Sequence, residues 1–355
     1  MKAIQVCMLG LKGSGKTELA NKLQQKKEIE EESYSVYSFK QGDTLVYVGD
    51  TPHNVDDVKM MLALMHESDA CVLCIDATQP ISPKLGEVVL LLDYMKYKKG
   101  VVAITKSDMT TPDVIEKLKT QMNAVLAESS LEQIEMLPVS TVTDDGIMEL
   151  RQALVNLDPK ARDDSGSFKL PIEIAQEIKS GLTNVIGVIE RGGLKKYDKT
   201  FMMPWGKEFI VQEIDKHGEV VEEAKAGDRV KVQYKGLNKW DVQTGDVVCE
   251  EGTTKKAKEL KCEIEVSKFF KDELRKGSEV QLNVGMQTLK TEIASISKDG
   301  SEVDSAKSGE KITATFTTKI PFAIEENQTA IVYYPEAHWK SIKVVGSGKV
   351  LEGSE

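Results

Sequence analysis

The chain has 355 residues, 40% of them apolar and 29% charged, with 26 Gly and 10 Pro. At roughly one domain per 100–200 residues it should hold two or three domains, and this composition excludes collagen-like, disordered and disulfide-scaffold classes. The formal net charge of −10 is uneven, with 17 Lys and Arg against 24 Asp and Glu in residues 1–160, and 30 against 33 in residues 161–355; with no basic excess, any nucleic-acid partner must be held at a local patch.

The apolar run Ala3 to Leu9 is too short for a signal peptide, and no stretch approaches the roughly 18 apolar residues of a membrane span, so a cytoplasmic protein with no membrane partner is expected. Five scattered cysteines fit reduced thiols. Cys71 and Cys74 lie in the strand-like run Ala70 to Ile75, where residues three apart face opposite ways, so buried strand cysteines outweigh a metal or redox pair.

In chain order, strands are predicted near Ile4 to Leu9, Val36 to Lys40, Thr44 to Val48, Ala70 to Asp76, Val101 to Thr105 and Glu135 to Val139. Helices are predicted near Lys16 to Lys26, Val55 to His66, Lys84 to Tyr97, Thr111 to Glu128 and Asp145 to Asn156. This βαβ rhythm implies an α/β domain with a mainly parallel sheet and helices on both faces. The polar, aperiodic segment Asp158 to Ser167 reads as a linker. From Phe168 onward, short alternating runs separated by Gly, Asp and Lys turns predict two small antiparallel β-barrels, with Gly252 to Lys258 as the seam. The expected domains are 1–160, 161–252 and 253–355.

Gly10-Leu11-Lys12-Gly13-Ser14-Gly15-Lys16-Thr17 is a full G-x-x-x-x-G-K-T placed between a strand and a helix. Its backbone N–H groups would curl around phosphate oxygens, Lys16 would neutralise the outer phosphates, and Thr17 would ligate Mg²⁺. Thr105-Lys106-Ser107-Asp108, after a later strand, resembles the N-K-x-D of GTPases with Thr in place of Asn. There Asp108 would accept two hydrogen bonds from a guanine edge and the Lys106 stem would cover the ring. Ser140-Thr141 resembles the loop that offers a backbone amide to guanine O6.

These motifs, the linker, and the stretches Leu170 to Glu173 and Gly187 to Gly193 together resemble the three-domain translational GTPases of the elongation factor Tu class. The likeness is greatest to the archaeal type of selenocysteine-specific elongation factor, as a shortened paralogue. The resemblance implies GTP or GDP with Mg²⁺ held by Thr17 and Asp50, and His53 in a catalytic place. It also implies a tRNA partner, bound by its aminoacylated 3′ end at the second domain and its junction with the first, and a possible ribosome contact.

Departures from the family pattern point to lost hydrolysis. The family's D-x-P-G-H is here Asp50-Thr51-Pro52-His53-Asn54, so the flexible Gly amide that senses the γ-phosphate is missing. Only Lys27 to Glu32 lie between the first helix and the next strand, too short and acidic to drape over a triphosphate, and Gly13 and Ser14 replace the family's Asp and His. Losing these together is expected to cost on the order of 10³-fold or more in rate.

Three other readings are open. An active GTPase would deliver a specialised aminoacyl-tRNA using His53. A P-loop ATPase or kinase would need several arginines over the transferring group, yet residues 1–160 hold only Arg151. A scaffold would bind no nucleotide, although Lys16, Thr17 and Asp108 are intact. In the barrels, Lys195, Lys196, Lys255, Lys256 and Lys258 could meet phosphates, and Trp205, Trp240 and Trp339 could stack bases, against the plainer roles of solvated lysines and packing aromatics. His66, His217 and His338 show no ligand spacing.

Overall fold

The computed structural model describes residues 1–51, 58–127, 129–131, 134–179, 181–338 and 341–355. They form two compact units, residues 1–160 and 161–355.

The first unit runs β1 (Lys2–Gly10), α1 (Lys16–Leu23), β2 (Lys26–Glu30), β3 (Ser35–Gln41), β4 (Thr44–Asp50), α2 (Val58–Glu67), β5 (Ala70–Asp76), α3 (Pro83–Tyr94), β6 (Gly100–Thr105), α4 (Pro112–Leu126), β7 (Glu135–Pro138) and α5 (Ile147–Asn156). The strands lie in the order β2-β3-β4-β1-β5-β6-β7. From β4 to β7 they are parallel, and β2 and β3 add an antiparallel edge. Central strands of such a sheet are covered on both faces and therefore read as continuous apolar runs; every residue of β6 is buried. Ile4, Val6 and Met8 pack with Leu19 and Leu23 of α1 and Leu150 and Leu154 of α5. The intervening Cys7 sits 3.5 Å from the Tyr97 hydroxyl, which in turn bonds Met65 O of α2.

The register aligns the carboxyl ends of the strands. Met8 lies beside Asp50, Gly10 beside Cys74, Asp76 beside Thr105, and Ile104 beside Pro138. In an open α/β sheet, ligands bind at that edge.

The stretch after α1 differs from the expectation. The helix stops at Leu23, and Lys26–Glu30 is an edge strand paired with β3. Its sequence, KKEIE, places only Ile29 in the core, so it lacks the alternation that marks a strand. Lys26 pairs with Glu28 at 2.7 Å and Lys27 with Glu30 at 2.8 Å.

The second unit is antiparallel throughout. One sheet orders the strands Lys169–Pro171, Val247–Cys249, Lys199–Met203, Lys207–Lys216, Arg229–Lys235, Leu182–Val188 and Ile174–Lys179 over a core that includes Leu170, Val185, Val211, Val232 and Tyr234. The other orders Glu279–Val284, Thr329–Tyr333, Val344–Ser354, Lys255–Val266, Lys311–Ile324 and Gln287–Lys298. Its first strand pairs back with its last, closing a six-stranded barrel around Leu260, Ile264, Leu282, Ile293, Phe316 and Phe322. At Gly348 an added Cβ would fall 1.7 Å from Glu263 O, so only glycine permits that approach. The α/β unit followed by antiparallel β structure is the fold class read from the sequence.

Lys255 to Lys258, expected in the seam, belong to the first barrel strand, where outward lysines alternate with buried Ala257 and Leu260. The two β lobes meet through a small buried apolar cluster of Val247, Cys249 and Ala323, with polar contacts beside it. Gln287 donates to Asp246 Oδ1 at 3.3 Å and accepts from Ala323 N at 2.7 Å, and Lys169 and Arg191 both pair with Glu325, at 2.8 and 3.0 Å.

Candidate nucleotide-binding site

The loop between β1 and α1 is shaped by its glycines. Gly10, Gly13 and Gly15 have φ of 142°, 78° and 79°, and a Cβ on Gly10 would lie 2.4 Å from Cys74 O. Gly13 has open space on its Cβ side. Lys16, 5% exposed, folds back so that its ammonium donates to Gly10 O and Leu11 O, both at 3.0 Å. Burial pushes its pKa down, and the Cys74 and Asp50 side chains partly oppose the shift.

Thr17 donates through Oγ1 to Asp50 Oδ2 at 2.7 Å. Asp50 is fully buried at the end of β4, and its other oxygen, Oδ1, has no hydrogen-bond partner among the described residues. Burial raises its pKa against the pull of the Thr17 hydroxyl and the Lys16 ammonium. A carboxyl group with an orphaned buried oxygen beside a threonine hydroxyl is a donor set that fits a hard divalent cation. His53, with Pro52 and Asn54, lies outside the described residues.

The two loops expected to read the base are tied to the phosphate loop. Thr105 Oγ1 lies 2.8 Å from Ser14 O and 3.0 Å from Ile75 O, so this hydroxyl serves the backbone of the loop and of β5. Lys106, at φ 56°, donates to Gly13 O at 2.8 Å and to Asp76 Oδ2 at 2.6 Å. Asp76 also accepts from the Thr78 amide and hydroxyl through Oδ1. Burial works to raise its pKa, but the Lys106 and Thr78 bonds prevail and hold it below the usual carboxylate range. The sequence reading missed Asp76; an Asp that ends an apolar strand two residues before a Thr was the available signal.

Asp108 sits in a short 3-10 turn, exposed and with no hydrogen-bond partner among the described residues. Ser107 N bonds Val139 O at 3.2 Å, which brings the β7–α5 loop alongside. Ser140, fully buried, accepts the amides of Val142 and Thr143, while the Thr141 amide takes no part in the described hydrogen bonds. Gly10, Gly13, Ser14, Gly15, Lys16, Thr17, Asp50, Thr105, Lys106, Asp108, Ser140 and Thr141 are thus set along one sheet edge.

Residues 32–160 match the elongation factor Tu GTP binding domain. The selenocysteine-specific elongation factor of Methanocaldococcus jannaschii is 24% identical over 381 aligned residues, covering 100% of this chain and 81% of that protein. The apo crystal structure of translation elongation factor SelB from Methanococcus maripaludis superposes with a TM-score of 0.84 at 25% identity, covering all of this chain and 80% of that one. Along its whole length the chain is similar to SelB, and the match to the elongation factor Tu GTP binding domain lies in residues 32–160. The same SelB bound to the GTP analogue GppNHp superposes with a TM-score of 0.86 at 24% identity, again over the whole of this chain and 80% of that one. A SelB-like GTP-binding domain implies guanine-nucleotide binding.

Of the residues expected to meet RNA, Lys195, Lys196, Lys255 and Lys256 face Glu223, Glu222, Glu326 and Glu355 at 3.9, 4.0, 3.0 and 3.7 Å. Lys258 makes no such ion pair among the described residues. Trp205 and Trp240 are exposed by 41% and 79%, and Trp339 lies outside the described residues. Among the described residues no helix is long and apolar enough to cross a membrane.

Proposed function

We propose that this chain is a SelB-like translation-factor paralogue that keeps a guanine-nucleotide pocket, hydrolyses GTP weakly or not at all, and binds the aminoacylated 3′ end of a tRNA. Its domains would be 1–160, 161–252 and 253–355. The observation that carries the reading is the connection between α1 and β3. It is spent on an edge strand and a tight turn in which Glu31 N bonds Tyr34 O at 2.9 Å. That turn emerges at the carboxyl edge, but β2 and β3 stand three and two strands from β1, about 14 and 10 Å at ordinary strand spacing. It has no length left to cover a terminal phosphate.

In the pocket, Lys16 would exchange its loop carbonyls for phosphate oxygens, Asp108 would accept the donors of the guanine edge, and Thr17 and Asp50 would hold Mg²⁺. The cation would supply neutralisation of phosphate charge. Thr105 and Lys106 would keep the phosphate loop and the base loop in one frame.

Calorimetric titration with GDP and with a non-hydrolysable GTP analogue, each with and without Mg²⁺, tests the reading. Affinities within about threefold of one another are expected. Tight analogue binding that depends on Mg²⁺, with fast turnover stimulated by ribosomes, would reverse it. The Thr17–Asp50 pair favours a second reading, an active GTPase that delivers a specialised aminoacyl-tRNA to the ribosome. A P-loop ATPase or kinase is disfavoured because Arg151 donates to Leu23 O at 2.8 Å and Lys22 O at 3.3 Å, at the end of α1.

A further inference from the structure

The loop that follows Arg229–Lys235 carries an aromatic surface that the nucleotide site does not use. Asn238 caps the short turn Lys239–Asp241 by accepting the Trp240 amide, which fixes the backbone beneath an indole that is 79% exposed. Lys239 Nζ lies 4.5 Å from the centre of that ring. Trp205, 41% exposed, sits in the turn between Lys199–Met203 and Lys207–Lys216, and its indole N–H donates to Asp246 Oδ2 at 3.1 Å. The same oxygen accepts Gln243 N, three residues beyond Trp240. Lys207 Nζ reaches Asp241 Oδ2 at 3.3 Å. One loop, residues 238–246, therefore presents Trp240 at its head and anchors Trp205 at its foot.

The charges around this surface are arranged by sign. Asp246 is 2% exposed and engaged by Trp205, Gln243 and Gln287, and Asp241 is paired with Lys207. Lys239 is left as the cation beside the exposed ring. An apolar protein partner would gain little from a lysine over the ring, whereas an unpaired nucleotide presents a π-face to the indole and a phosphate to the ammonium. We propose that Trp240, with Lys239 beside its ring, forms a stacking site for single-stranded RNA on a loop braced by Trp205 and Lys207. The inference rests on the reading of the chain as an RNA-binding translation factor, and it names a contact on the β lobe distinct from the nucleotide pocket.

The test uses the full chain and a fluorescein-labelled single-stranded RNA of roughly eight nucleotides, within the span one small β-barrel binds. Wild type should bind it with salt-sensitive affinity. Stacking on an indole is worth enough that W240A should lose roughly tenfold or more in affinity, W240F should retain most of the binding, and K239A should lose a smaller factor and lower the salt slope. Indole fluorescence quenched by the RNA in W205F but not in W240F would assign the contact to Trp240. RNA binding unchanged in W240A, or a W240F protein that is quenched as fully as wild type, would overturn the site while leaving tRNA binding elsewhere intact. Failure of wild type to bind the oligonucleotide, or capture of a protein partner that W240A abolishes while RNA binding is absent, would also overturn it. GDP titration of the same variants separates the two readings, because W240A should leave nucleotide affinity unchanged.

Discussion

Two stretches at the carboxyl edge of the first sheet are built in opposite ways. The β1–α1, β6–α4 and β7–α5 loops are laced together: Lys16 holds Gly10 and Leu11, Lys106 holds Gly13, Thr105 holds Ser14, and Ser107 holds Val139. The β2–β3 turn, by contrast, closes on itself through Glu31 and Tyr34. A nucleotide's base and inner phosphates would meet the laced region. In the proposed reading, this turn, already committed to the sheet, is too short to lie over the terminal phosphate. Binding and sensing can therefore be lost separately, because they rest on different covalent stretches.

Substitutions on the two sides should break that contrast if it is false. K16A should cause the largest effect, a loss of GDP affinity on the order of 100-fold, since a charged hydrogen-bond donor to phosphate is removed; calorimetry reads it directly. D108A should cost roughly 10- to 50-fold in GDP affinity and weaken discrimination against ADP, because two hydrogen bonds to an ionised acceptor disappear.

D50N probes the cation corner through pH. Burial raises the folded-state pKa of Asp50 above the ordinary 3.8, so the folded chain takes up a proton more readily than the unfolded one, and wild-type stability falls as pH rises through the window between the two values. D50N should consequently melt higher than wild type at neutral pH in the absence of nucleotide, with the gap closing as the pH drops through that window. Scanning calorimetry across pH decides it, and a gap of opposite sign would refute it.

R151A should lower stability by about 1 kcal/mol, the worth of a lost hydrogen bond at a helix end, and leave nucleotide affinity unchanged; a loss of phosphoryl-transfer activity instead would revive the kinase reading. The double variant E31A/E32A should shift affinity for GDP and for the GTP analogue by less than about twofold, as exposed substitutions do. A selective change for the analogue would show that the turn reaches the terminal phosphate after all.

Much of this was legible in the residues. The phosphate loop announces itself by spacing, and the buried runs of β1, β5 and β6 by continuous apolarity, because a parallel sheet covered on both faces permits little else. The strand β2 was not legible: with Ile29 its only buried residue and four charges around it, KKEIE reads as a helix end followed by a polar link. Nor were the roles of Thr105, Asp76 and Arg151, since each depends on a backbone carbonyl or side chain at least 30 residues away that only the packed sheet and helices bring close. The start of the barrel strand at Lys255 was hidden in the same manner, by outward lysines that resemble a linker.

Among the described residues β2 has no strand partner on the flank away from β3, the kind of border on which a neighbouring molecule could extend the sheet. Lys26, Lys27, Glu28 and Glu30 stand along that strand. A second copy of the strand added there parallel and in register would set like charges opposite one another and bury lysine stems without their water, so the same five residues that shorten the loop also discourage that mode of polymerising.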